Sequence, residues 1–214
     1  MKLTLSIRRT LKSDMQDKHY EPKDKAFLKL KQEVFQRDKF ACIYCGWVDK
    51  NNMIDHLNDE HDDNDIDNLA CCCAICHSVK HMAYASQNNT GILIYCPTIS
   101  QENLNRFMRI SFVIQKIGPK EQKDFSLRIW NALKQNSQIV KNVWTSFKPQ
   151  DIAENLVLLP NEIYDSRGEN FFREIRILFT PKSVFIAPMI DYWCKIFNKP
   201  NPKQWEQLLP NIMV

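Results

Sequence analysis

Leu3, Leu5 and Ile7 alternate with Thr4 and Ser6, a two-residue period that predicts a short strand before the basic pair Arg8 and Arg9. Pro22 then opens a stretch where Phe27, Leu30 and Val34 recur at helical spacing among Lys23, Lys25, Lys29 and Lys31, and this helix is expected to end near Asp38. Gly91 precedes Ile92, Leu93, Ile94 and Tyr95, an apolar run stopped by Pro97 and expected as a buried strand. From Ser100, Leu104, Phe107, Ile110, Ile114 and Ile117 mark one helical face, closed by Gly118 and Pro119. A second helix is expected to carry Phe125, Ile129, Leu133, Val140 and Trp144 without interruption. Beyond Pro149, Asp151 is placed to cap a short helix through Leu156; residues 171–179 fit a strand or a helix, and 189–197 and 202–209 read as helical.

The predicted class is therefore α+β, with a mainly helical second half. A chain of 214 residues accommodates one large domain or a small one beside a second core. With 44% hydrophobic and 25% charged residues it has the composition of a folded globular protein. No run of 18 apolar residues occurs, and Lys2, Arg8, Arg9, Lys12 and Asp14 interrupt the first twenty positions, so neither a membrane span nor a signal peptide is expected. The net charge of +4 conceals an asymmetry: residues 1–40 carry 11 basic and 6 acidic side chains, residues 41–80 carry 2 and 8. The remaining 16 basic and 11 acidic residues are scattered, which reads as a solvated surface rather than a nucleic-acid stripe.

The acidic segment also holds most of the chemistry. Cys42-Ile43-Tyr44-Cys45 followed by Gly46 has the form of a zinc knuckle, with the glycine expected to relieve backbone crowding; Cys73-Ala74-Ile75-Cys76 is its counterpart. Paired thiols in a chain expected to stay in a reducing compartment are metal ligands before they are disulfides. One structural Zn2+ is expected between Cys42, Cys45, Cys73 and Cys76, and the 27 residues separating the knuckles must fold back to bring the second to the first. Cys72 and Cys76 also lie one helical turn apart, but the two-residue spacing favours Cys73; Cys96 and Cys194 stand alone in apolar surroundings and are given no role.

Between and after the knuckles stand Ile54-Asp55-His56, Asp67-Asn68-Leu69, and His77 with Lys80. Together with Gln36-Arg37-Asp38-Lys39-Phe40-Ala41-Cys42 these residues resemble the HNH nuclease family over about 45 residues, a fifth of the chain. The resemblance implies a ββα zinc module in which Asp55 and His77 bind a catalytic cation, His56 activates water and Asn68 fixes a loop. The residues alone admit a plainer reading, in which His56 packs a hairpin, Asn68 holds a turn and His77 donates to a carbonyl. The stretch after the Asp-His pair lacks the proline and glycine usual in the family, and six of the nine residues from Asp59 to Asp67 are acidic. Such a loop repels a phosphate backbone. No catalytic residue is therefore expected to work: Asp55, His56, Asn68 and His77 are vestigial candidates, with a DNA-cleaving metal-dependent HNH endonuclease as the alternative.

The combination of a complete cysteine module, an acidic loop and a long helical extension is similar to the IcmJ/DotN family of Dot/Icm type IVB secretion subunits. That resemblance implies an adaptor of the coupling complex, cytoplasmic and recruited to the inner membrane, supporting effector export. Its implied partners are the C-terminal extension of the coupling ATPase DotL and other coupling-complex subunits, with no nucleic acid and no membrane insertion. The expected division is residues 1–39, a strand and basic helix packing on the module; 40–81, the HNH-like zinc module; and 82–214, the helical extension with one or two short strands. The extension is rich in aromatics, among them Trp130 and Tyr192, which lie off its main apolar stripes and are expected to be left partly outside for a partner.

Overall fold

The computed structural model describes residues 3, 5, 25–160, 162–164 and 170–197. Its elements in chain order are α1 (Lys25–Arg37), β1 (Met53–His56), β2 (Leu69–Cys72), α2 (Ala74–Lys80), α3 (Met82–Ala85), β3 (Gly91–Tyr95), α4 (Gln101–Ile117), α5 (Lys120–Gln135), α6 (Ser137–Trp144), α7 (Pro149–Val157), β4 (Ile175–Phe179) and α8 (Ala187–Ile196). Mixed helices and small antiparallel sheets make this an α+β protein, as the periodicities predict. Leu3 and Leu5 are buried, and the Leu3 amide donates to Glu102 at 2.6 Å. The rest of the expected N-terminal strand, the start of the first helix at Pro22 and the helix expected over 202–209 lie outside the described residues.

Two antiparallel pairs organise the chain. β1 pairs with β2, placing Met53 opposite Cys72 and His56 opposite Leu69. This hairpin lies between two helices: α1 packs against β2 and α2 against β1. Phe27, Val34 and Phe35 of α1 close over Ile54, Leu69 and Cys71 in a small core of their own. The end of α1 is tied to the hairpin by polar bonds as well. Arg37 donates to the carbonyls of Ile66 at 2.7 Å and Leu69 at 2.6 Å, while Asp38 accepts the amide of Cys71 at 2.8 Å.

β3 pairs with β4, Gly91 opposite Phe179 and Tyr95 opposite Ile175, so the ambiguous segment 171–179 ends as a strand. α4 is the central helix, packed against β4, α2, α5 and α8. Gln101 at its start both donates to the Ile177 carbonyl (3.0 Å) and accepts the Ile177 amide (2.9 Å), which fixes the helix to the strand. A single large core joins the cysteines of the module to Leu93, Leu104, Met108, Val113, Leu178 and Trp193.

The helix expected to run unbroken from Phe125 to Trp144 is two helices, α5 and α6. At Asn136 the backbone turns: its amide returns to Leu133 at 3.2 Å, and its carbonyl accepts the Tyr95 amide of β3 at 3.3 Å. The sheet edge takes the acceptor that a continuous helix would have used. Asp151 is not a cap either. Lys148 holds that position ahead of Pro149, and Asp151 in the first turn accepts from Ser146 at 2.6 Å.

Candidate metal centre

The first knuckle is a tight turn. The Gly46 amide donates to the Cys42 carbonyl (2.8 Å), the Cys42 amide to the Trp47 carbonyl (2.9 Å), and the Ile43 amide to the Cys71 carbonyl of β2 (2.9 Å). Gly46 has φ +72°, and a Cβ there would meet no atom within 4 Å. The glycine thus supplies a left-handed backbone angle, not the relief of crowding expected from the sequence. In the second knuckle Cys73 occupies the position before α2 with extended backbone, and Cys76 lies in the first turn of that helix.

These turns bring the sulfurs of Cys42, Cys45, Cys73 and Cys76 within 4.8 Å of one another. The Cys45 and Cys73 sulfurs are 3.6 Å apart, close to the ~3.8 Å that a tetrahedral ion with Zn–S bonds of about 2.3 Å requires. All four are buried and reduced. Cys71 and Cys72 stand outside the group. Cys71 accepts from the Asn52 amide group at 3.5 Å with its thiol pushed up to about 12 by burial; Cys72 donates to the Cys73 carbonyl at 3.6 Å.

A shell from α4 surrounds the sulfurs. Arg109, 3% exposed, points one guanidinium nitrogen at the sulfurs of Cys73 (2.9 Å) and Cys45 (3.9 Å). Its Cζ lies 4.4 Å from the Trp47 ring centre and 5.3 Å from that of Trp193, and its Nε has no hydrogen-bond partner among the described residues. One turn earlier, Asn105 donates to the Cys76 sulfur at 3.2 Å, and Arg106 donates twice to the Cys45 carbonyl, at 2.9 and 3.2 Å. Among the described residues no carboxylate pairs with Arg109. Burial opposes its charge, yet the thiolates of Cys73, Cys45 and Cys76 hold its pKa above the usual value. A buried cation without an anion costs several kcal/mol, and four neutral thiols do not offset that. Four thiolates around a divalent ion carry a net charge of about −2 and do. The donor set and its surroundings therefore fit a metal ion of the zinc type.

Thiol protonation points the same way. Burial pushes Cys73 and Cys76 well above the ordinary range, while hydrogen bonds from neighbouring thiols, Cys45 first, pull Cys42 down. A cation at the centre removes this conflict by taking all four as thiolates.

A second group lies on the other side of α2. Asp55 from β1, His77 from α2 and His81 just beyond it have ligand atoms within 4.8 Å of one another, and all three are buried. His77 Nε2 is 4.0 Å from Asp55 Oδ1, and the Tyr44 hydroxyl donates to Asp55 Oδ2 at 2.6 Å. Burial raises the Asp55 carboxyl to about 6 against the opposing pull of Lys80. His81 was not singled out from the sequence, although its spacing of four from His77 places both on one helical face. His56 is not in this group; its Nε2 lies 3.3 Å from Asn64 Oδ1 and its ring centre 5.0 Å from that of His61. His61 in turn approaches the His81 ring at 5.3 Å.

Asn68 holds the acidic loop, accepting the Asn58 amide at 3.0 Å and donating to the Asp63 carbonyl at 2.8 Å. Lys80 pairs with Asp59 at 2.7 Å. The loop therefore stands, pinned at both ends, beside the Asp55–His77–His81 group.

No protein-family model matches the chain. The chain is similar to the type 4 apparatus protein DotN of Legionella pneumophila subsp. pneumophila (strain Philadelphia 1), with 27% identity over 177 residues that make up 79% of this chain and 80% of that protein. This likeness reaches far beyond the 45 residues that carry the nuclease-like motifs, and it bears out the resemblance to the IcmJ/DotN component.

Proposed function

We propose, taking the likeness to DotN as the premise, that this chain is a non-catalytic, zinc-binding adaptor of a Dot/Icm type IV coupling complex. In this reading Cys42, Cys45, Cys73 and Cys76 hold one structural Zn2+, and the HNH-like module serves as a rigid support. The helical extension receives an extended or helical tail of the coupling ATPase on the cytoplasmic side of the inner membrane. No helix among the described residues is long and apolar enough to cross a membrane.

The observation that carries the reading is an apolar cleft of about 540 Å³ between α4, α5 and α8, lined by Phe112, Leu127, Trp130 and Ile190. Leu127 is 49% exposed, and Trp130 packs against Phe112 with ring centres 5.8 Å apart. An aromatic side chain half out of a cleft anchors a peptide with little loss of rotamer freedom. The test is capture of the ATPase C-terminal extension from the same host. Leu127→Asp or Trp130→Ala should weaken capture by about tenfold or more with zinc retained. His56→Ala should leave it unchanged. Full capture by both cleft variants would overturn the assignment.

The metal-dependent endonuclease is favoured by one observation, the buried Asp55–His77–His81 group. Against it stand the displacement of His56 toward Asn64 and the six acidic residues of the adjoining loop. Purified protein is expected to leave duplex and single-stranded DNA intact with magnesium, manganese or nickel. Cleavage that disappears in His56→Ala would establish the enzyme instead.

A further inference from the structure

A second cleft, on the opposite side of the hairpin from α2, has a different character. It is about 580 Å³ and lies along the outer face of α1, where Lys25, Leu28, Lys29, Gln32 and Gln36 follow one another at helical spacing. Leu28, Phe35 and Phe40 form its floor; Lys25, Lys29, Lys31 and Lys50 form its rim. No acidic side chain lines it among the described residues, and the one carboxylate at its rim is Glu33, 3.8 Å from Lys29 on the exposed helix surface where such a pair is weak. Leu28 is 49% exposed and Phe40 39%.

Phe40 is held there at a cost. Lys39 and Phe40 both have left-handed backbone, φ +53° and +57°, where glycine would be at ease. The Phe40 amide closes the end of α1 on the Phe35 carbonyl at 2.8 Å, and the two rings meet edge to face at 5.7 Å. Without this turn Phe40 would not complete the floor. Strain that keeps a bulky apolar ring in water is the pattern of a binding surface, not of a helix end optimised for stability.

We propose that this face docks an acidic amphipathic segment of a protein partner, its apolar side chains seated on Leu28 and Phe40 and its carboxylates answering the lysine rim. Charge complementarity selects the acidic flanks, and the exposed aliphatic floor selects apolar anchors. Nucleic acid fits less well, because the rim has no arginine fork and Phe40 is the one half-exposed ring of the floor, where a run of bases needs several to stack on. A second copy fits poorly too. The chain's own acidic stretch, from Asp59 to Asp67, brings only Ile66 as an apolar anchor. This surface stands apart from the α4–α5–α8 cleft and does not depend on the ATPase-tail reading.

The probe is a synthetic peptide of about four helical turns, with leucine on one face and glutamate elsewhere, followed by fluorescence anisotropy on the zinc-loaded full chain. Micromolar binding is expected. It should fall by about tenfold or more in Leu28→Asp and in a Lys29→Glu, Lys50→Glu double variant, whereas Trp130→Ala should bind as the parent does. A control peptide with serine for every leucine should bind at least about tenfold more weakly. Equal binding of the serine control, displacement of the peptide by equimolar oligo-dT, loss of binding only in Trp130→Ala, dimerisation of the chain through this face in place of peptide binding, or no binding would each overturn the proposal.

Discussion

At the scale of single residues, Arg109 makes the sharpest statement about the metal, because its burial is intelligible only if the sulfurs it faces are charged. Arg109→Met removes the cation while filling similar space. Outer-shell partners of metal ligands are worth about 10- to 100-fold in affinity, so zinc transfer to a chromogenic chelator should be faster by at least about tenfold. An unchanged transfer rate would show that the guanidinium does not sense the metal. Asp55 supports a second test. Its folded carboxyl, raised to about 6 by burial, binds its proton more tightly than the unfolded one with its value of 3.8. Stability is then lost as pH rises from about 4 through 6, because the buried group must ionise. Asp55→Asn should therefore stabilise the protein at pH 7 by roughly 1 to 3 kcal/mol, with the gain vanishing near pH 4. A destabilised Asp55→Asn protein at pH 7 would mean that the carboxylate holds a cation. Neither Arg109 nor Asn105 was legible as a partner of the cysteines. They lie some thirty residues downstream on a helix buried nearly all round, where the stripe of Leu104, Phe107 and Ile110 is visible but the polar pair at i and i+4 resembles ordinary surface.

At the scale of elements, local pattern is clear where apolar spacing and flanking Gly, Pro or Ser bound a segment, and fails where a distant neighbour decides. The helix from Gln101 follows from its periodicity, and the strand from Gly91 from an apolar run stopped by Pro97. The break at Asn136 does not, since it depends on a hydrogen bond to Tyr95 across forty residues of sequence. Segment 171–179 could be settled only by its pairing with β3. The acidic loop shows the opposite balance: it is held largely by Asn68, a side chain whose type was readable, with Lys80 on Asp59. Asn68→Ala deletes two hydrogen bonds, worth about 1 kcal/mol each, and should speed exchange of the Asn58 amide while leaving zinc content unchanged. Unchanged exchange at Asn58 would mean that Lys80 and Arg37 already hold the loop without it.

For the whole molecule, the cysteines belong to the same core as Leu104, Met108 and Trp193, so a metal held by them would share one cooperative unit with the helical extension. Structural zinc contributes about 10 kcal/mol or more in small peptides, as much as the entire net stability of an ordinary domain. One zinc per chain is expected by elemental analysis. Chelation, or serine at all four cysteines, should abolish helical circular dichroism together with the near-ultraviolet signal of the tryptophans. Helix content surviving removal of the metal would separate the extension from the module.

The arginine that reaches back from α4 also sets a timetable. Cys76 leaves the ribosome 33 residues ahead of Arg109, which at about 5 to 20 residues per second is an interval of roughly 2 to 7 seconds. During that window the knuckles are outside and the guanidinium has not yet emerged. A nascent chain that meets zinc then offers a preformed anionic nest for the arriving helix; one that does not must close α4 over bare thiols with a cation inside. Scarcity of the metal would thus be felt as failed folding of the nascent chain, before any finished protein could be counted.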